Sequence, residues 1–199
     1  MSCWLLMAVA TTAVSANSLQ RFVETQNHMG TKFELVVYSE TDGQATKAFT
    51  SGFDRIAELN AVMSDYVAES ELSCLSRTSP TESPVAVSKD LFTVLDSAQR
   101  LSERTGGAFD VTVGPLTKLW RRARRREEFP DAELLQAARD ATGFRNLTLN
   151  RANQTAKLRV PKMRLDLGGI AKGYAADEAM KAIRQHGITR ALVNAGGDV

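Results

Sequence analysis

Residues 164–177 combine side chains that could bind a phosphate. The segment RLDLGGIAKGYAAD places Asp166 two residues before a pair of glycines and Lys172 three residues after them. Glycine has no Cβ and tolerates positive φ, so paired glycines let a backbone approach a ligand closely. The unpaired N–H groups at the start of the helix that we predict next would attract an anion, above all a phosphate.

Lys172 is predicted to lie in the first turn of that helix, where the helix dipole disfavours a cation. A bound anion would offset this misfit. The spacing matches neither a Walker A loop nor GxGxxG, so it does not indicate a P-loop or a Rossmann dinucleotide site. On spacing alone, two interpretations stay open: an anion-binding turn, and an ordinary strand–turn–helix with a surface lysine.

The other side chains limit the chemistry that is available. His28 and His186 are the only histidines, and the sequence has no Ser-His-Asp set, HExxH motif or Cys/His metal cluster. Carboxylates, glycines, a lysine and hydroxyls remain. They suit a phosphate site with Mg²⁺, which prefers oxygen ligands and shares them with substrate phosphates.

Residues 164–177 belong to a series of five segments. The others are 29–31 (MGT), 63–73 (MSDYVAESELS), 105–116 (TGGAFDVTVGPL) and 194–198 (NAGGD). In this order, the five segments closely resemble the ApbE family, the FAD:protein FMN transferases. The resemblance runs from about Met29 to Val199, and the third and fourth segments are long and specific.

The resemblance implies an enzyme that binds FAD with Mg²⁺ and cleaves its pyrophosphate. FMN would pass to a threonine or serine hydroxyl of an acceptor flavoprotein, and AMP would be released. A membrane-associated acceptor is one option, and nucleic acid is not an expected partner. Two alternatives stay open: hydrolysis of FAD to FMN and AMP, and flavin binding without catalysis.

The resemblance also implies which residues form the site. The positions matched to FAD binding are Met29, Tyr66, Ala108, Phe109, Asp110, Asp166 and Lys172. Lys172 would also be catalytic, by neutralising charge as the pyrophosphate breaks. The backbone carbonyl of Gly169 would join the metal shell, and Asp198 would be a supporting acid.

Each of these residues also has an ordinary interpretation when it is taken alone. Met29 would be a core residue, Tyr66 a half-buried aromatic and Asp110 a hydrogen-bonding turn residue.

The length and the first residues suggest one exported domain. A chain of 199 residues with 43% hydrophobic content can bury the core of a single domain. Residues 1–16 resemble a secretory signal with cleavage after Ala16, which leaves a domain over 17–199 in an extracytoplasmic, periplasmic or membrane-associated location. Cys74 would then be the only cysteine, which excludes an intrachain disulfide.

The family pattern continues beyond Val199, so we expect this chain to be the N-terminal portion of a longer protein. By the same resemblance, the remaining metal ligands would lie in that continuation.

Charge gives little support to a nucleic-acid function. The net charge is +2, so no bulk field favours nucleic acid or an anionic membrane. Arginines cluster at 121–126, followed by Glu127 and Glu128, which is typical of a solvated helix end. A patch for phosphate or a protein partner is the other interpretation. A nucleic-acid interface is disfavoured because the run is short and lacks interleaved aromatic residues.

Hydrophobic periodicity predicts the elements that must position the site. Predicted strands are 33–38, 85–87, 109–113, 146–149, 156–160 and 191–194, with another entering the last helix. Gly114 and Pro115 are expected to break the strand at 109–113. Predicted helices are 44–63, 132–141 and 171–185, the last with Gly187 at C′. Another helix is predicted to be capped by Ser88, with a buried stripe of Leu91, Val94, Leu95, Ala98 and Leu101. Because no regular βαβ repeat appears, we predict an α+β fold of mixed helices packed on mainly antiparallel sheet.

Overall fold

The computed structural model describes residues 18–197. The predicted signal, residues 1–16, and Asp198 lie outside the described residues. The strands are β1 (Gln20–His28), β2 (Thr31–Ser39), β3 (Val85–Ala86), β4 (Leu147–Asn150), β5 (Thr155–Leu158) and β6 (Arg190–Ala195). The helices are α1 (Asp42–Met63), α2 (Glu71–Arg77), α3 (Lys89–Arg104), α4 (Gly114–Arg126), α5 (Ala132–Asp140) and α6 (Ala171–Arg184).

The first sheet has the strand order β1-β2-β6, and both pairings are antiparallel. Alternate residues of β2, Phe33, Leu35 and Val37, are fully buried, as expected for a strand with one face on the core. Helices α1 and α6 pack against each other, and α1 also packs against this sheet. Gly52 permits this packing, because a Cβ there would lie 2.9 Å from Leu35 and 3.2 Å from Ile183.

The second sheet has the order β3-β5-β4 and is also antiparallel. Its inward residues Leu147, Ala156 and Leu158 belong to the same buried cluster as the inner face of β2. The predicted α+β architecture with antiparallel sheet is confirmed. Among residues 18–197, no helix combines the length and apolar character needed to cross a bilayer.

The strand predicted at 109–113 is wrong. Gly106 and Gly107 have φ of 62° and 88°, and the Asp110 carboxylate then accepts from the Thr112 N–H and hydroxyl, at 2.8 and 2.7 Å. This side-chain turn competes with strand pairing. Only Val113 forms a bridge, to Arg164. The strand predicted to enter α6 is likewise reduced to that single bridge.

The strand β1, the helix α2 and the start of α4 were not predicted; at 121–126 the arginine run predicted only a helix end. Gly114 and Pro115, interpreted as a break, instead begin α4, because proline fits the first turn of a helix. Within the stripe predicted for α3, Leu101 is only half-buried, whereas Leu91, Val94, Leu95 and Ala98 are buried.

Candidate functional site

A cavity of about 340 Å³ opens between the β1–β2 turn, the end of α1 and the start of α6. Its walls come from three of the five segments and from α1 and α4. They comprise Met29, Gly30, Thr31, Asn60, Met63, Ser64, Asp65, Tyr66, Arg121, Leu167, Gly168, Ala171 and Lys172. A second cavity of about 610 Å³ shares Gly168 and Lys172 with it. The size range is that of small-molecule sites.

The β1–β2 turn presents Met29 to the cavity. Met29 and Gly30 connect the paired residues His28 and Thr31, and their φ values of 50° and 72° are those of a type I′ hairpin turn. Methionine seldom adopts positive φ, so this residue is held in an uncommon conformation. Its side chain packs partly on the core and lines the cavity.

The segment after α1 presents Tyr66. Ser64 ends the helix, and its hydroxyl accepts from the Tyr66 and Val67 N–H groups at 3.2 and 3.3 Å. Its carbonyl accepts from the hydroxyls of Ser70 and Ser73, which explains the serines of the second segment. Tyr66 is 73% exposed, so the interpretation as a half-buried aromatic is wrong.

Asp166 lies behind the cavity and is 8% exposed. One carboxylate oxygen accepts from the Gly168 N–H at 2.9 Å. The other accepts from the Thr117 hydroxyl and the Arg121 guanidinium, each at 2.8 Å. Asp166 thus fixes the glycine turn to α4. A direct contact between Asp166 and FAD stays a prediction.

Arg121 is the site residue that the sequence interpretation missed. Its guanidinium pairs with the carboxylates of Asp65 and Asp166 and lies 4.6 Å from the ring centre of Tyr66. Burial alone would lower its pKa, but the hydrogen bond that it donates to Asp65 and the charges of both carboxylates raise it. A helical signal existed: Thr117 and Arg121 are four residues apart and therefore share a helix face.

Lys172 lies in the first turn of α6, as predicted. The helix begins without a side-chain cap and has no acidic residue in its first turn. Lys172 is half-buried and lines both cavities. Gly169 lines the second cavity only, and its role as a metal ligand stays a prediction.

Residues 108–110 take a different position. Ala108, Phe109 and Asp110 line neither of the two cavities. Phe109 packs closely against the glycine turn. A Cβ added at Gly169 would lie only 3.1 Å from the Phe109 ring. Asp110 makes the turn bonds of its ordinary interpretation. Contacts of these three residues with FAD stay predictions.

Binding of magnesium stays a prediction. Within residues 18–197, no group of three His, Cys, Asp or Glu side chains could hold a metal ion. Asp65 and Asp166, the carboxylates nearest the cavity, both pair with Arg121. Both carboxylates are therefore already paired with a cationic side chain of the protein.

The fold and the cavity define an α+β protein whose site suits an aromatic, anionic ligand. The sequence profile of the ApbE family matches residues 29–199. The chain therefore belongs to the ApbE family.

Relatives and solved structures agree with this assignment. An FAD:protein FMN transferase of Vibrio cholerae is 35% identical over 174 residues, which cover 86% of this chain and 51% of the relative. One of Klebsiella pneumoniae is 32% identical, with 86% and 52% covered. The flavin transferase ApbE of V. cholerae superposes with a TM-score of 0.81 at 32% identity, covering 90% of this chain and 58% of that one. The chain spans about half the length of the curated relatives it matches.

Proposed function

We propose that this protein is an FAD:protein FMN transferase. One observation carries the proposal: Met29, Tyr66 and Lys172 come from separate segments of the chain and line a single cavity. Met29 and Tyr66 would frame the flavin. Asp166 and the turn of residues 108–110 would position the nucleotide, in part by holding the glycine turn.

The transfer is a substitution at phosphorus. The hydroxyl oxygen of an acceptor threonine or serine attacks the FMN phosphorus and forms a phosphoester. The diphosphate P–O bond breaks, AMP leaves with the bridging oxygen, and the hydroxyl proton passes to a base or to solvent. Lys172 would stabilise the negative charge that builds on the departing phosphate, which is the electrostatic contribution that dominates phosphoryl transfer.

Magnesium dependence and the acceptor belong to the same proposal. Magnesium rests on family membership alone, because residues 18–197 gather no metal-binding cluster. The acceptor would be a flavoprotein with a target threonine or serine, in an extracytoplasmic location or at a membrane. Mass spectrometry of the exported protein would detect cleavage after Ala16.

One assay tests the proposal and its alternatives. The full-length protein is incubated with FAD, Mg²⁺ and a candidate acceptor domain, with EDTA in a parallel sample. Flavin fluorescence that stays on the acceptor after denaturation is the expected result. AMP with free FMN would instead indicate hydrolysis. Unchanged FAD that is nevertheless bound would indicate binding without catalysis, an alternative favoured by the lack of a metal-binding cluster in the described residues.

Lys172 gives the sharpest residue test. Lys172→Ala should lower turnover by about 10²-fold or more, as for loss of one transition-state donor, and should weaken FAD binding much less. Lys172→Arg should keep part of the activity because it keeps the charge. Lys181→Ala is the control: Lys181 is in the same helix, pairs with Glu178 and does not line the cavity. Wild-type turnover in Lys172→Ala would contradict the proposed role.

A further inference from the structure

Arg121 stands at the centre of a charged cluster in the cavity wall. Its Nη1 pairs with Asp65, its Nη2 lies 2.8 Å from Asp166, and its guanidinium lies over the Tyr66 ring. Asp65 and Tyr66 belong to the second segment, and Asp166 to the fourth. Arg121 itself lies in α4, outside all five segments.

The charges near the cavity make the position of Arg121 important for binding an anionic ligand. Asp65, Arg121 and Lys172 line it, and Asp166 lies directly behind Arg121. Arg121 pairs with both carboxylates. Without Arg121, these two carboxylates would lose this cation and would repel a dianionic diphosphate. In a partly buried site such a repulsion matters far more than on an open surface.

The guanidinium is also fixed in place. Two carboxylates pair with it, and its central carbon lies 4.6 Å from the centre of the Tyr66 ring. A guanidinium has five N–H donors, and the two hydrogen bonds to Asp65 and Asp166 use two of them. The remaining three have no partner within residues 18–197.

We infer that Arg121 is the positioning residue that makes this cavity able to accept a diphosphate. It cancels the charges of Asp65 and Asp166 and orients Tyr66. This inference rests on the proposed function for the identity of the ligand, FAD. It also predicts the direction of one change in affinity. Because Asp65 and the diphosphate are both negatively charged, removing that carboxylate should strengthen FAD binding.

Equilibrium dialysis with FAD tests the inference in five proteins besides wild type. Arg121→Gln should raise the Kd at least tenfold, and Arg121→Lys should give an intermediate value. Asp65→Asn should lower the Kd severalfold. The double variant Asp65→Asn/Arg121→Gln should recover most of the affinity lost in Arg121→Gln. Arg124→Gln is the matched control, since Arg124 is an exposed residue of the same helix outside the cavity, and it should bind FAD as wild type does.

Three results would overturn the inference: an unchanged Kd in Arg121→Gln, a Kd in Asp65→Asn that is not lowered, or no recovery in the double variant. Thermal melts show whether Arg121→Gln folds. If it does not fold, the direction of the change in Asp65→Asn decides.

Repeating the series with inorganic pyrophosphate separates this inference from the proposed function. A wild-type protein that binds pyrophosphate with the expected order of variants but does not bind FAD would leave the inference standing and refute the flavin assignment. If wild type binds FAD and the variants have no effect on the Kd, the inference about Arg121 is refuted and the flavin assignment stands.

Discussion

Gly114 and Gly196 lie where segments of the five-segment series contact one another closely. A Cβ at Gly114 would lie 2.4 Å from the Arg164 carbonyl oxygen, and one at Gly196 would lie 2.2 Å from the Thr31 hydroxyl. Gly114 therefore brings the third segment against the fourth, and Gly196 brings the fifth against the first. These two glycines serve contacts within the protein, which differs from the role in approaching a ligand that the sequence suggested for Gly168 and Gly169.

Gly114→Ala should destabilise the protein. The new methyl group meets a backbone carbonyl, which cannot rotate away, so the two segments must separate. Overpacking of this kind costs about 1–3 kcal/mol, and we expect a fall in Tm of several degrees in a thermal melt. Gly43→Ala is the control, because nothing lies within 4 Å of a Cβ at this helical position. Equal Tm values in the two variants would contradict the argument.

Met29→Asn should separate stability from binding. Asn-Gly is the preferred pair for a type I′ turn. The stability gained from the better-suited turn residue should therefore offset the stability lost with the apolar packing of Met29. We expect the free energy of unfolding to stay within about 1 kcal/mol of wild type. FAD affinity should fall, because the proposed function places this side chain against the flavin. Denaturant melts and FAD dialysis on the same sample measure both, and unchanged FAD affinity would argue that Met29 is only a turn residue.

At the scale of elements, a polar cluster joins helices α1, α3 and α6. Arg55 donates to Asp90 at 2.6 Å and to Glu178 at 2.9 Å, and the Tyr174 hydroxyl donates to Asp90 at 2.7 Å. Burial, and then the bond to Asp90, raise the pKa of Tyr174, so this hydroxyl stays a donor. Since Tyr174 lies two residues after Lys172, the cluster fixes the first turn of α6.

The cluster predicts a loss of stability in acid. Burial alone would raise the pKa of Asp90, but its bonds from Arg55 and Tyr174 lower it. In Glu178, burial is likewise outweighed by Lys181 and Arg55. A lowered carboxyl pKa contributes stability above the unfolded value, about 4 for both residue types, and this contribution disappears as the pH falls through the folded value.

Thermal melts between pH 7 and pH 3 measure that loss. Asp90→Asn should be less stable than wild type at pH 7 by about 1 kcal/mol or more, because it leaves Arg55 underpaired. Its stability should then fall less than that of wild type as the solution is acidified. Asp54→Asn, on the exposed side of α1, should follow the wild-type profile. Parallel profiles for wild type and Asp90→Asn would show that the cluster contributes no pH dependence.

Elements with regular hydrophobic spacing were predictable from sequence, whereas largely exposed elements were not. The long helices α1, α3 and α6 bury stripes at helical spacing, and β2 alternates. By contrast, β1 is largely exposed and carries little alternation to detect. Helix α4 buries only Gly114, so its amphipathic pattern does not point to a core.

At the scale of the whole molecule, the site was predictable to the extent that family motifs mark it. Met29, Tyr66 and Lys172 line one cavity. The pairing of Arg121 with Asp65 and Asp166 was not predictable, because it depends on where α4 crosses two distant segments. Within the arginine run, only Arg121 turns inward to the cavity, while Arg122, Arg124, Arg125 and Arg126 are exposed.

This distribution of charge predicts how the chain depends on magnesium. Lys172 lines the cavity, Arg121 offsets the two carboxylates beside it, and no metal-binding cluster occurs within residues 18–197. FAD binding by this 199-residue chain should therefore vary less than about twofold between Mg²⁺ and EDTA in equilibrium dialysis. Raised ionic strength should weaken binding, since screening acts on the same charges. A tenfold loss of affinity in EDTA would mean that the diphosphate is held through a metal ion and that the two side chains contribute little.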